Sequence, residues 1–215
     1  MTNKYDHIIW DWNGTLLNDV ELCLSIINNI LDRINLTRLS LKDYKDIFTF
    51  PVKNYYENAG IDFSKYSFEA LGKEWIKEYE QRRFETSLFP NAKEVLNHIR
   101  QNNIEQSILS AYSMKNLIEI VRHFEVENFF NHLVGLDNIY AASKIDLGKE
   151  LVKKLGLNNE RILLIGDTIH DFEVSEEIGT DCLLIAGGHQ SKERLLSCGA
   201  PVVNSLNYIY SFLFN

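Results

Sequence analysis

His7-Ile8-Ile9-Trp10-Asp11-Trp12-Asn13-Gly14-Thr15-Leu16 decides the reading of this chain. A short apolar run without polar alternation marks a strand buried on both faces. This one ends in a carboxylate, followed closely by a glycine turn and a hydroxyl. A carboxylate placed there can coordinate a metal or attack phosphorus. Far downstream, Ile165-Gly166-Asp167-Thr168-Ile169-His170-Asp171 repeats the arrangement, a second apolar strand ending in acids. Two further stations lie between them: Ser110, after Ser107-Ile108-Leu109, and Lys144, in Ala142-Ser143-Lys144-Ile145-Asp146.

The texture of the chain changes around these stations. Between residues 20 and 85 no strand pattern occurs. Val20, Leu24, Ile27, Leu31 and Ile34 recur at helical spacing, as do Phe68, Leu71, Trp75 and Tyr79, with Pro51 and Gly60 as breaks. From Phe89-Pro90 onward helix and strand patterns alternate. Helices are expected at 91–102, 114–123, 146–155, 171–178, 191–197 and near 205–213. Strands are expected at 106–110, 133–136, 161–165, 182–186 and 201–203. Short apolar strands separated by helices imply a parallel sheet covered on both faces. The expected fold is therefore an α/β doubly wound parallel sheet, Rossmann-like, with an all-helical insertion. Residues 1–16 and 87–215 form the core and 17–86 the insertion.

Ten of the chain's aromatic residues fall between Phe48 and Phe84. They serve either to fill the core of a small helical unit or, at Phe48, Phe50 or Tyr55, to line a substrate pocket or a dimer interface.

In an open α/β sheet, ligands bind beyond the carboxyl ends of the strands, where the strand order reverses. Adjacency of the first and fourth core strands would bring Asp11 and Asp167 together. Crowded acids repel, and a bound cation relieves the repulsion. Magnesium suits such a place, since it prefers hard oxygens and is held by one or two carboxylates plus substrate phosphate. Each station also has a plainer reading in isolation. Asp167 and Asp171 fit a helix N-terminus, and Ser110 fits a turn or helix cap. Lys144, with Lys149, Lys153 and Lys154 nearby, fits a solvated surface.

In their order along nearly the whole chain, the four stations resemble the haloacid dehalogenase superfamily of aspartate-nucleophile phosphatases. The inserted helices and the Cys198-Gly199-Ala200 region are similar to its phosphoglycolate-phosphatase-like branch. The resemblance implies a magnesium-dependent phosphatase acting on a small phosphorylated metabolite through an aspartyl phosphate on Asp11. The metal ligands would be Asp11, the main-chain carbonyl of Asn13, and Asp167, with Asp171 as a further ligand or support. Lys144, Ser110 and the backbone at Ala111 would hold the phosphate, and Thr15 would sit there orienting Asp11. The insertion would be a mobile cap with hinges near 16–18 and 85–87. Gly14 would bring backbone close to the phosphate, and Gly187-Gly188 would mark another close approach.

One residue departs from the family pattern. The superfamily's phosphatases carry Asp two positions after the nucleophile, as the acid that protonates the leaving group, and here that position is Asn13. An amide cannot move that proton, and loss of a positioned acid–base typically costs about 10²- to 10⁴-fold in rate. Three consequences stay open. The substrate's leaving group needs little protonation, as in an aryl or acyl phosphate; another residue such as His170, His189 or a cap side chain supplies the proton; or the chain is a weakly active or non-catalytic binder of phosphorylated metabolites. A mutase-like phosphotransferase is disfavoured because it too uses the missing acid.

Bulk properties narrow the partners. The chain has 215 residues, with 22 basic against 30 acidic and a net charge of −8. That argues against nucleic acid and anionic membranes, which call for a basic face. A local lysine and metal still permit an anionic small substrate. Three cysteines without metal-type spacing read as reduced thiols of a cytoplasmic protein, and a monomer or homodimer is expected.

Overall fold

The computed structural model describes residues 3–136 and 143–214. Its first strand, β1 (His7–Trp10), is buried along its whole length, as its apolar run requires. A two-residue strand β2 (Leu17–Asn18) leads into four helices: α1 (Val20–Arg33), α2 (Leu41–Ile47), α3 (Val52–Asn58) and α4 (Phe68–Arg82). The strand β3 (Ser87–Leu88) pairs antiparallel with β2, so the chain leaves and re-enters the core side by side. Alternation then follows as α5 (Ala92–Gln101), β4 (Glu105–Ser113), α6 (Met114–His123), β5 (His132–Leu136), α7 (Lys144–Leu155) and β6 (Ile162–Gly166). The chain ends through α8 (Ile169–Ile178), β7 (Asp181–Ile185), α9 (Lys192–Leu196), β8 (Val202–Val203) and α10 (Ile209–Phe214).

Six strands form one sheet in the order β5-β4-β1-β6-β7-β8, and every pairing is parallel. Growth runs outward from β1 on one side and resumes at β6 on the other, so the reversal point lies between β1 and β6. Asp11 and Asp167 stand just beyond the ends of those two strands, because Trp10 is in register with Ile165. The doubly wound sheet expected from the apolar runs is observed.

Side-chain alternation along the strands builds a core on each face. Ile8, Trp10, Ile108, Leu163 and Ile165 pack with Leu96, Ile99, Leu117, Ile120 and Ile209. On the other face Ile9, Leu109, Ile162 and Leu164 meet Leu151, Val152, Val174 and Ile178. The inserted helices own a separate core. Val20, Leu24, Ile27, Leu31 and Ile34 are buried there with Leu71 and Tyr79, as their helical spacing predicts.

One local expectation changes. The strand read as 106–110 runs on to Ser113, with a register shift after Leu109, so Ser110 lies inside irregular strand rather than at a helix start. The β2–β3 pair gave no signal in sequence, since two residues are too few for any alternation.

The helices sit over the carboxyl ends of the core strands. Tyr44 of α2 meets His189, the Lys45 ammonium donates to the Gly187 carbonyl, and Gln190 donates to the Phe48 carbonyl.

Candidate active site

Asp11 continues the line of β1, its N–H donating to the Ile165 carbonyl at 2.8 Å. Carboxylate oxygens of Asp11, Asp167 and Asp171 lie within 4.8 Å of one another, and all three side chains are buried. Asp171 owes its place to a capping box. Thr168 caps α8 and accepts from the Asp171 N–H, while the Asp171 carboxylate accepts back from the Thr168 N–H and hydroxyl.

Lys144 opens α7 behind a second capping box, built by Ser143 and Asp146. That fixed start aims its ammonium inward, where it donates to Asp11 Oδ1 at 2.5 Å and Asp171 Oδ1 at 2.6 Å. Lys144 is only 6% exposed, whereas Lys149, Lys153 and Lys154 are exposed. The buried lysine is therefore the one that the order of stations singled out.

One ammonium does not balance three buried carboxylates. Burial lifts the Asp11 carboxyl to about 7 against the pull of Lys144, and Asp171 and Asp167 add to the rise. Burial likewise raises Asp167 to about 6, although the His189 charge opposes it. Asp171 is held below the usual carboxylate range, because Lys144 and the Thr168 hydrogen bonds outweigh its burial. Crowded hard oxygens whose ionisation is penalised suit a divalent cation such as magnesium. Both oxygens of Asp167 and of Asp171 already accept hydrogen bonds, as does Asp11 Oδ1, so each acid has further lone pairs to offer and Asp11 Oδ2 is the least engaged of the six oxygens.

Other candidates fall into place or move. Ser110 and Ala111 line the cavity beside Asp11, and the Ser110 hydroxyl accepts from the Tyr112 N–H at 3.1 Å. Thr15 does not orient Asp11. It is fully buried and donates to Asp167 Oδ1 at 2.9 Å, because the turn after Asp11 carries it to the neighbouring strand end. The glycines are explained by closeness to the acids. At Gly188 a Cβ would lie 2.1 Å from Asp167 Oδ2, and at Gly14, whose φ is +76°, 2.4 Å from the same atom. His170 pairs with Glu173 at 3.2 Å near the cavity mouth. His189 is buried, and its main-chain N–H donates to Asp167 Oδ2 at 2.6 Å.

Sequence reading missed a hub. Asp19 stands at the N-cap position of α1, yet its side chain makes no capping hydrogen bond. It turns back to accept from the Gly14 N–H at 3.0 Å, the Asn13 amide at 2.7 Å and the Tyr79 hydroxyl at 2.7 Å. His189 Nε2 lies 3.3 Å from its other side, and Tyr44 meets His189 Nδ1 at 2.8 Å. Burial works against the charges here, but the pair overcomes it: Asp19 lies below the usual range and His189 rises to about 9. Asn13 is thus placed, since its amide donates to both Asp19 and Tyr79. The only sequence signal was an acid before a helix, which reads as an ordinary cap.

Comparison with known proteins agrees with this geometry. A 5'-nucleotidase of Pseudomonas aeruginosa is 24% identical over 200 residues, spanning 89% of this chain and 87% of that protein. A phosphoglycolate phosphatase of Synechococcus elongatus is 20% identical over 190 residues, 88% of each. A haloacid dehalogenase-like hydrolase from Streptococcus pneumoniae superimposes with a TM-score of 0.83 at 16% identity, covering 97% of this chain and 98% of that one. The model of the haloacid dehalogenase-like hydrolase family matches residues 8–185, from β1 to the end of β7. The chain belongs to the haloacid dehalogenase-like hydrolases.

Proposed function

We propose that the protein is a magnesium-dependent phosphatase that hydrolyses a small organic phosphate through a phosphoryl group carried on Asp11. The observation that carries the reading is the convergence of Asp11, Asp167 and Asp171 on one point with Lys144 between them. The phosphatases among its relatives support it. Asp11, Asp167 and the Asn13 main-chain carbonyl would hold the cation, which when bound supplies positive charge against the phosphate and the carboxylates.

This chain's own residues account for the rest. Asp11 attacks phosphorus, forming a new P–O bond as the ester P–O bond breaks and its electron pair departs on the leaving oxygen. Lys144 stabilises the negative oxygens of the transferring group, and Ser110 with the backbone at Ala111 receives them. Water then attacks the acyl phosphate, releasing inorganic phosphate and restoring Asp11. Asn13 supplies no proton, and its amide is engaged by Asp19 and Tyr79. The leaving oxygen therefore departs as an anion, which favours substrates with stable leaving groups. Helices α1–α4 act as a lid that closes over the site and keeps out bulk solvent while the phosphoryl group is transferred.

The test is phosphate release from acetyl phosphate and an aryl phosphate with and without magnesium, together with hydroxylamine trapping of the phospho-enzyme. Wild-type protein should release phosphate only with magnesium and yield a trapped adduct at Asp11. A binder without turnover would hold the substrate analogue, release nothing and form no adduct.

A further inference from the structure

Between the inserted helices and the strand ends lies a cavity of about 610 Å³, with Asp11 and Lys144 in its lining. Its walls are rich in rings. Phe48 stacks on His189 at 4.9 Å and meets Phe50 edge-on at 5.6 Å. Trp75 stacks on Tyr79 at 5.0 Å with 12° between planes. Apart from Lys144 at the acids, the one lysine in the lining is Lys73, with Glu69 a helical turn away on α4. The His189 charge in the lining is already paired with Asp19, so a carboxylate-bearing or second-phosphate leaving group would find little free charge to receive it. A flat apolar one would find stacking partners and displace water from them.

The missing proton donor at Asn13 agrees independently, because a phenolate leaves without protonation.

Resting on the phosphatase reading above, we propose that the substrate is an aryl phosphate: a planar, fused-ring-sized aromatic system esterified directly to the phosphate. The P–O bond to Asp11 forms while the bond to the ring oxygen breaks, and the electron pair leaves on the aryl oxide, which water later protonates.

The experiment separates the ring from the leaving group. 2-Naphthyl phosphate and phenyl phosphate have leaving oxygens of similar acidity but different ring area, and kcat/KM should favour the former by about tenfold or more. Gly72 lines the cavity, and a Cβ there meets nothing within 4 Å. Gly72→Phe should therefore fill the chamber without disturbing the fold, and lower the 2-naphthyl to acetyl phosphate ratio of kcat/KM by about tenfold. Binding of non-hydrolysable 2-naphthylmethylphosphonate, followed by tryptophan fluorescence, reads the chamber without turnover. Saturable binding that Gly72→Phe weakens, with no turnover of any phosphate, keeps the chamber and removes the catalytic reading. Phosphoglycolate, pyrophosphate or purine nucleotides turned over better than 2-naphthyl phosphate, or no phosphonate binding by an active enzyme, overturns the aryl assignment.

Discussion

Asp11 and Asp19 are both buried carboxylates of one short stretch of chain, yet their surroundings treat them in opposite ways. Around Asp19 every neighbour donates: a backbone N–H, an amide, a phenol and a histidine that its charge keeps protonated. Around Asp11 two of the neighbours are further acids, and Lys144 alone opposes them. Cys23 beside Asp19 adds a third ligand type to that cluster, but burial raises its thiol well above the ordinary range, so it stays protonated. Two clusters that look alike as lists of metal-binding residues thus separate on charge. The Asp19 cluster is complete as it stands and works as scaffold; the Asp11 cluster is short of positive charge and, on the proposed function, would take a cation. Chemistry belongs where the balance is left open.

The largest test of that contrast is Asp11→Asn. Turnover of any phosphate should fall by about 10⁴-fold or more, as when a covalent nucleophile is removed. The same variant without metal should melt higher than wild type at pH 7.5, since a repelling charge has gone while an oxygen still accepts from Lys144. Calorimetric scans and a phosphate-release assay read both, and a lower metal-free Tm would break the claim that Asp11 is strained by its charge.

Asp19→Ala should act in the opposite sense on stability. It leaves the His189 charge buried without its partner, at a cost of about 3 kcal/mol. For a chain of this size that lowers Tm by on the order of 10 °C. Thermal denaturation near wild type would mean that the hub carries no such burden.

Asn13→Asp sharpens the boundary between the clusters. A carboxylate there faces Asp19 across the 2.7 Å contact that the amide now bridges, so the two would share a proton. Alkyl phosphates should then gain up to about 10²-fold in kcat from the restored acid. Stability should fall. Unchanged alkyl turnover together with unchanged Tm would show that position 13 touches neither cluster's function.

The smallest effect is in pH. Asp11 and Asp167 ionise near 7 and 6 in the folded protein and near 4 unfolded. Between those limits the folded state binds more protons, so metal-free stability declines as pH rises from about 4 to about 7. Magnesium should accordingly raise Tm more at pH 7.5 than at pH 5, and an equal or larger shift at pH 5 would contradict the sign.

Much of this was legible in sequence, for a physical reason. Asp11 and Asp167 end apolar strands, and the doubly wound order fixes where such ends meet. Lys144 was picked from its neighbours by the order of stations that the resemblance implies, and the capping box that buries it at the start of α7 came only with the structure. Asp19 was hidden, since an acid before a helix has a sufficient local explanation and its real partners lie at Asn13, Tyr79 and His189. Thr15 misled for a related reason: a hydroxyl near the nucleophile in sequence lies closer in space to the acid of the next strand. Local chemistry was readable; which acid each neighbour serves was decided by the turn.

The central claim, that the acids beside Asp11 and not those beside Asp19 take the cation, is tested most directly by calorimetric titration of magnesium into the metal-free protein. Wild type and Cys23→Ser should each bind one ion per chain with similar affinity, and Asp167→Asn should bind none in the same range. Retained binding in Asp167→Asn, or its loss in Cys23→Ser, would contradict the account.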